Sequence, residues 1–320
     1  MHDPLIDLAT VPPVPLDPAV HAARESLRNA VGDLSAVPDG SLDGPWRWRP
    51  TDADDLERRY GFYRIHERLE EAIATITVGW ADGRGTPIGP TIGPAIPALR
   101  AMAVARWELH GALAPLADVD WDADPGGGEW TVRQTLGHII ASQRSYGWYN
   151  AWYLSQRPIV GEAVYPPDGT LPPAPSEEEE AAGAPNEVRS RLDDVVDTVA
   201  SSNAGLDPAA LQGGARWSGL PVTIGFRIGR YGSHIREHTV QVDKTLSMLG
   251  RRPTEVERLV RLILGTYGRL EALFVGRTPD VLAVRFADGS TATAILAAAI
   301  DDVVAVASRV RVAGGPGGLP

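Results

Sequence analysis

Apolar residues recur along much of the chain with the spacing of helices that bury one face. From Pro97 to about Ala114 they return every three or four positions, and similar stripes occur in several other stretches. These stretches are 17–34, 51–76, 131–156, 187–203, 222–249, 255–274 and 292–312. We therefore predict an all-α fold in which a four-helix bundle, about 97–249, carries additional helices at both ends.

Breaks between the helices divide the chain into three predicted regions. They are an N-terminal helical extension over 1–95, the bundle over 96–250 and a C-terminal helical extension over 251–320. We expect the tail from Gly314 to be disordered. The stretch 157–186 is rich in proline and contains the acidic run Glu177–Glu180, which is typical either of a lid or of a solvated acidic insert. The segment 281–286 is a candidate for extended structure.

The composition narrows the range of partners. With 30 basic and 41 acidic side chains the formal charge is −11, so we expect no binding to nucleic acid or to anionic membranes. A secretory signal and an apolar run of about 18 residues are both missing from the sequence, which favours a cytoplasmic protein. The lack of cysteine excludes thiolate ligands and a cysteine nucleophile. We expect a small-molecule substrate and a monomer or homodimer.

Two of the seven histidines have the spacing at which two side chains of a single helix can bind the same ion. His234 and His238 stand four positions apart, which turns their side chains by only roughly 40° around the helix axis. The same face carries other polar residues, namely Arg227, Arg230, Tyr231, Gln241 and Thr245. The helix 131–156 has a matching polar stripe around His138, made of Gln134, Ser142, Ser145 and Tyr149. If the two stripes face one another across an ion, His138 is the third ligand.

Three neutral imidazoles would leave coordination positions open, as catalytic zinc sites do. Zinc is our first choice of metal, but iron(II), nickel and manganese also accept imidazole. Each of these two histidine signals can also be explained without a metal. A single buried histidine such as His138 usually forms a hydrogen bond to a backbone carbonyl, and the HxxxH spacing occurs by chance in surface helices. Glu237 is either an acceptor for a ligand histidine or half of a surface ion pair. The remaining histidines are predicted to be surface or helix-packing residues: His2, His21, His66 and His110.

Two motifs resemble those of the DinB/YfiT-like superfamily. The first is Glu129–His138, preceded by an Asp-Trp-Asp turn at 120–122, and the second is His234–His238, followed by Gln241 and Lys244. The resemblance covers about 97–249. It implies a four-helix bundle that holds zinc, nickel or iron through the three histidines named above. The superfamily includes mycothiol-dependent maleylpyruvate isomerases and other thiol transferases, and many members have no assigned activity.

The leading functional hypothesis is a divalent-metal-dependent transferase or isomerase that acts with a low-molecular-weight thiol. Arg227 or Arg230 would hold an acidic group, and Tyr149, Tyr231 or Gln134 would donate hydrogen bonds to developing negative charge. We assign Arg230, Tyr231 and Gln134 to catalysis, and Arg227 and Tyr149 to cofactor binding. Two alternatives stay open: a metal-dependent hydrolase that uses a bound hydroxide, and a non-catalytic metal-binding stress-response module.

Overall fold

The computed structural model describes residues 5, 9–49, 55–81, 93–156 and 163–312, and in these ranges it confirms the predicted all-α fold. The helices are α1 (Pro18–Ser35), α2 (Arg59–Ala81), α3 (Ile96–Leu113), α4 (Asp118–Trp121), α5 (Val132–Ser155), α6 (Glu177–Ala181), α7 (Pro185–Asn203), α8 (Pro208–Leu211), α9 (Ile224–Met248), α10 (Glu255–Ala272), α11 (Pro279–Leu282) and α12 (Ala292–Val312). Two small antiparallel pairs accompany them, β1 (Pro45–Trp46) with β2 (Leu56–Glu57) and β3 (Gly214–Trp217) with β4 (Leu220–Thr223).

The long helices in the middle of the chain form the bundle. Helices α3 and α5 each pack against both α7 and α9. Each helix contributes apolar side chains to one shared core, for example Leu99, Leu136, Leu192 and Ile235, all fully buried. The apolar stripes in the sequence are therefore the faces that meet in this core, and the bundle predicted over about 97–249 is confirmed.

The helices from the two ends of the chain pack together as a second group. Helix α12 packs against α1 and α2, and α10 packs against α1, α2 and the bundle helix α3. This group has its own core, which also takes in Trp107 of α3. The Trp107 ring meets the Tyr267 ring edge-on at 4.7 Å between centroids. A Cβ at Gly268 would lie 2.7 Å from the Trp107 Cβ, so the absence of a side chain lets α10 approach α3 this closely.

Several predicted boundaries were wrong. Helix α2 begins at Arg59 rather than at 51, because the residues just before it pair as β2 with β1. It ends at Ala81 rather than at 76. Residues 51–54 lie outside the described ranges. Val222, predicted to open a helix, belongs instead to β4, and the helix starts two residues later.

Two segments predicted to lack helix contain one. The 157–186 stretch holds the short helix α6, whose first turn is closed by Ser176: its hydroxyl accepts a hydrogen bond from the Glu179 amide. The extended segment predicted at 281–286 was wrong, because its first two residues end α11 and the rest has no regular structure. The predicted tail from Gly314 lies outside the described residues. In the described part of the chain, no helix is long and apolar enough to cross a membrane.

Candidate metal centre

The start of α5 is fixed by reciprocal capping, which sets where its histidine points. The Thr131 hydroxyl accepts a hydrogen bond from the Gln134 amide at 3.1 Å, and Gln134 Oε1 accepts one from the Thr131 amide at 2.9 Å. On the facing helix, the Thr223 hydroxyl caps α9 by accepting from the Phe226 amide. Both caps define the helix register, and His138 lies little more than one turn beyond Gln134 on the face turned toward α9.

The three predicted histidines come together between α5 and α9. One ring nitrogen from each of His138, His234 and His238 lies within 4.8 Å of the other two. The Nε2 atoms of His234 and His238 are 3.1 Å apart. Two nitrogens bound to one ion at about 2.0–2.1 Å with a tetrahedral angle would be roughly 3.3–3.4 Å apart, so the separation of this pair is close to that of two ligands of one ion. The three side chains can therefore hold one metal ion.

Hydrogen bonds on the far side of two rings fix their tautomers. His138 Nδ1 lies 2.7 Å from Glu177 Oε1, and His238 Nδ1 lies 2.7 Å from Gln241 Oε1. Both partners are acceptors, so each Nδ1 carries the proton and each Nε2 presents a lone pair to the cluster. His234 Nδ1 is buried and makes no hydrogen bond to the described residues. The donor set thus fits a divalent ion that prefers imidazole nitrogen.

Burial favours the neutral form of His234 and His238, which is the form that binds metal. Burial, together with the proximity of His238 and His138, lowers the pKa of His234 to about 3. Burial also lowers the pKa of His238. The neighbouring Glu237 is tied up in a two-pronged ion pair with Arg230, at 2.7 and 2.8 Å, so it is half of an ion pair and not an acceptor for a ligand histidine.

Aromatic side chains enclose the cluster. The Trp130 ring lies 4.9 Å from His138 and is nearly parallel to His238 at 6.2 Å, measured between centroids. Tyr146 meets His234 edge-on at 5.3 Å. Such walls limit the number of waters around a bound ion and strengthen electrostatic interactions inside the site.

A second polar network extends from the cluster toward the hairpin β3–β4. Arg227 is buried; its Nε donates to Asn150 Oδ1 at 2.6 Å, and a terminal nitrogen donates to the Arg216 carbonyl at 2.7 Å. The Asn150 amide nitrogen donates to the Tyr231 hydroxyl at 2.7 Å. Burial lowers the pKa of Arg227. Its guanidinium has no carboxylate partner among the residues that the structure describes, and it lies 5.5 Å from the Tyr149 ring.

The other predicted site residues occupy different surroundings. Tyr231 is fully buried, and burial raises its pKa. The guanidinium of Arg230 lies 5.4 Å from the Trp217 ring, and its Nε is buried without a hydrogen bond to the described residues. Gln134 is exposed at the edge of a cavity of about 400 Å³ that is also lined by Trp130 and Glu177. One network therefore contains Arg227, Tyr231 and Tyr149, whereas Gln134 lies outside it, in the first turn of α5.

Sequence reasoning missed two polar residues of the site. Glu177 was assigned to a loop, although Ser176 and Glu179 have the spacing of a capping box and signal a helix start. Asn150 lies within a helix of mainly apolar and aromatic neighbours, and such an isolated amide signals a buried hydrogen-bond network. It links Arg227 of α9 to α5 and so holds the two site-forming helices in register.

Comparison with known proteins identifies the region that carries the site. Residues 101–242 match the model of the DinB superfamily, and this range contains all three histidines. No curated protein and no solved structure gives a significant match to the chain. The helical fold, the central bundle and the matched range agree with one another. Residues 101–242 therefore form a DinB-superfamily region of the chain.

Proposed function

We propose that this protein is a metal-dependent transferase or isomerase that uses a low-molecular-weight thiol, with zinc as the first choice of metal and iron or nickel as alternatives. The observation that carries the proposal is the convergence of three imidazoles from two helices on one point. Three protein ligands leave room for a further ligand, which distinguishes reactive sites from closed structural ones. A divalent ion bound there would act as a Lewis acid and favour the thiolate form of a bound thiol near neutral pH.

The protein groups around the cluster support this chemistry by holding it in place. Glu177 and Gln241 orient the rings of His138 and His238 so that both Nε2 lone pairs face the ion. Trp130 shields these rings from solvent. The preorganised donor set loses little entropy when the metal binds, which raises its affinity.

The cationic and hydroxyl groups next to the cluster suit an acidic thiol or substrate. Arg227 is the stronger candidate for anion binding, because Arg230 already pairs with Glu237. Tyr149 would bind beside Arg227, and the Arg230 Nε would supply a further hydrogen bond. Tyr231, held by Asn150, would act by positioning Arg227 and its neighbours, and the exposed amide nitrogen of Gln134 would contact the part of the substrate at the mouth.

The test combines metal analysis with turnover. Purified protein loaded with zinc, iron(II) or nickel is offered mycothiol, bacillithiol or glutathione together with an electrophile, and products are measured by mass spectrometry. We expect metal-dependent products that are lost, together with the metal, in His138→Ala. The matched control is His21→Ala, which removes an exposed histidine of α1 and should change neither property.

The other outcomes separate the alternatives. Turnover of esters or amides without any thiol would contradict the proposal and favour the hydrolase. Tight metal binding with no turnover of any kind, accompanied by a higher melting temperature, would also contradict it and favour a non-catalytic metal-binding module.

A further inference from the structure

A second cavity lies at the boundary between the bundle and the second helix group, on a different part of the surface from the histidines. Its volume is about 520 Å³, within the range of small-molecule sites. It is bounded by the start of α3, the loop after α7 and the segment after α10. Apolar side chains form much of its wall, among them Ile96, Leu206, Val275 and Val281. None of the three histidines or their hydrogen-bond partners lines it.

Two arginines converge in this cavity. A terminal nitrogen of Arg100 donates to the Leu273 carbonyl at 3.4 Å, and the Arg277 Nε donates to the same oxygen at 3.3 Å. Arg100 Nε is buried and has no hydrogen-bond partner among the described residues. The Leu273 carbonyl belongs to the C-terminal end of α10, which carries a partial negative charge of about half a unit. The Arg277 guanidinium also lies 4.2 Å from the centre of the Trp80 ring. Within the described residues, the two positive charges therefore meet one partial negative charge and one aromatic face, but no carboxylate.

Neither of these guanidinium groups forms an ion pair with any residue that the structure describes. The carboxylate on the cavity wall is Asp207, whose Oδ1 caps α8 by accepting from the Ala210 amide at 2.6 Å. Burial, together with repulsion from Arg277, lowers the pKa of Arg100 to about 10. In a chain with a formal charge of −11, two partly buried arginines that find no acidic partner in the described ranges are costly unless something else neutralises them.

We propose that this cavity binds a small organic dianion, whose head group, a phosphate or a pair of carboxylates, lies between Arg100 and Arg277. The guanidinium fork matches the oxygen atoms of such a head group, and charge-assisted hydrogen bonds to it are stronger than those to a neutral carbonyl. The apolar part of the molecule packs against Ile96, Val275 and Val281. The site is separate from the metal centre and independent of the activity proposed for it.

Binding is tested by titration calorimetry at 0.15 M salt with three probes: phenyl phosphate, phthalate and inorganic phosphate. We expect phenyl phosphate or phthalate to bind more tightly than inorganic phosphate, because only the organic anions use the apolar wall. Arg100→Gln and Arg277→Gln should each weaken binding at least tenfold. Arg252→Gln, which removes an exposed arginine outside the cavity, should leave it unchanged.

A second readout distinguishes a ligand site from a structural role at the end of α10. If Arg100 serves a ligand, the melting temperature of unliganded Arg100→Gln stays the same or rises, because an uncompensated charge is removed. If it serves mainly to cap the helix, the melting temperature falls and anion affinity does not change, and the proposal is overturned. It is also overturned if none of the probes binds, or if Arg252→Gln weakens binding as much as the two cavity variants do.

Discussion

Away from the boundary that they share, the bundle buries more polar side chains than the second helix group does. The second group (α1, α2, α10 and α12) has an interior of residues such as Leu27, Phe62 and Ile263, all almost completely buried. The bundle buries polar residues among its apolar ones: Gln143, Asn150, Arg227 and His234. Apolar burial stabilises a fold, whereas a buried polar group costs free energy unless it is paired. We infer that apolar burial in the second group offsets the free energy that the bundle loses by burying polar side chains at its site.

Charged side chains connect the two groups where α1 and α10 meet the bundle. Glu271 of α10 is fully buried and accepts hydrogen bonds from Arg24 of α1, at 2.6 and 3.0 Å, and from Arg106 of α3. Asp197 of α7 accepts from the same two arginines, at 2.9 and 2.7 Å. Since buried charges are tolerated only when they are paired, this network fixes the orientation of the second group against the bundle.

The largest expected effect on stability comes from a cavity in the second core. Phe62→Ala should lower the free energy of unfolding by about 3–5 kcal/mol, because it removes a large side chain that is 1% exposed. Urea unfolding measures this loss, and metal titration of the folded protein should show an unchanged affinity. Val78→Ala, at an exposed site on the same helix, is the control and should change stability by less than about 0.5 kcal/mol. A parallel loss of metal affinity in Phe62→Ala would show that the two groups do not act separately.

Breaking the charged connection should cost somewhat less. Glu271→Gln leaves Arg24 and Arg106 with one shared carboxylate instead of two, so we expect the free energy of unfolding to fall by about 3 kcal/mol. Glu70→Gln, which breaks an exposed ion pair with Arg269, should cost less than about 1 kcal/mol. Chemical denaturation of both variants makes the comparison. Equal losses of unfolding free energy in the two variants would contradict the expectation that the buried ion pairs of Glu271 stabilise the fold more than the exposed pair of Glu70.

The sequence predicted the histidine cluster better than it predicted the second helix group, and the reason is physical. Helical spacing alone puts His234 and His238 on one face, because the geometry of a single helix decides it. Periodicity shows which face of a helix is buried but not which helix covers it. Arg24 and Glu271, which are 247 positions apart, meet only because the two ends of the chain pack together, and no local pattern reports that.

Smaller elements were missed for a different reason. The hairpin β3–β4 turns at Ser218 and Gly219, both with positive φ, which is the geometry of a tight two-residue turn. This Ser-Gly pair was a readable signal, but its strands are only four residues long and lie in a stretch of loop composition. The hydrogen bond of Glu177 to His138 had no such signal, because it depends on how the 157–186 stretch folds back over α5.

Within the bundle, we expect Glu177→Gln to weaken metal binding about 10- to 100-fold, equivalent to about 1.4–2.7 kcal/mol. The carboxylate fixes the tautomer of His138 and makes its Nε2 more basic, and an amide does this less well. Isothermal titration calorimetry with zinc measures the change in affinity. The free energy of unfolding of the metal-free protein should change little, because Glu177 is half exposed. Glu178→Gln, at the exposed neighbouring position, is the matched control. Identical affinities in the two variants would remove Glu177 from the site.

The boundary between the groups should also make stability depend on pH, through His110 of α3. This fully buried ring lies 2.9 Å from an Asp193 oxygen through Nε2, while Arg189 Nε donates to its Nδ1 at 3.4 Å. Both nitrogens are thus satisfied in the neutral form, and a proton on Nδ1 would face the guanidinium. Burial lowers the pKa of His110 to about 4; the Asp193 carboxylate opposes this shift, and the positive charges of Arg189 and Arg28 reinforce it.

Because the folded pKa of His110 lies below its ordinary value of about 6.5, the unfolded chain takes up the proton first as the pH falls. The free energy of unfolding should therefore decrease from about pH 6.5 toward pH 4, by at most about 1.4 kcal/mol per pH unit from this residue. His110→Gln can still donate to Asp193 and accept from Arg189 but does not titrate, so its stability should fall less over the same range. Urea midpoints at pH 7 and pH 5, with metal removed from both proteins, measure the difference. Equal decreases in the two proteins would mean that the pH dependence arises from other groups, such as the histidines of the bundle.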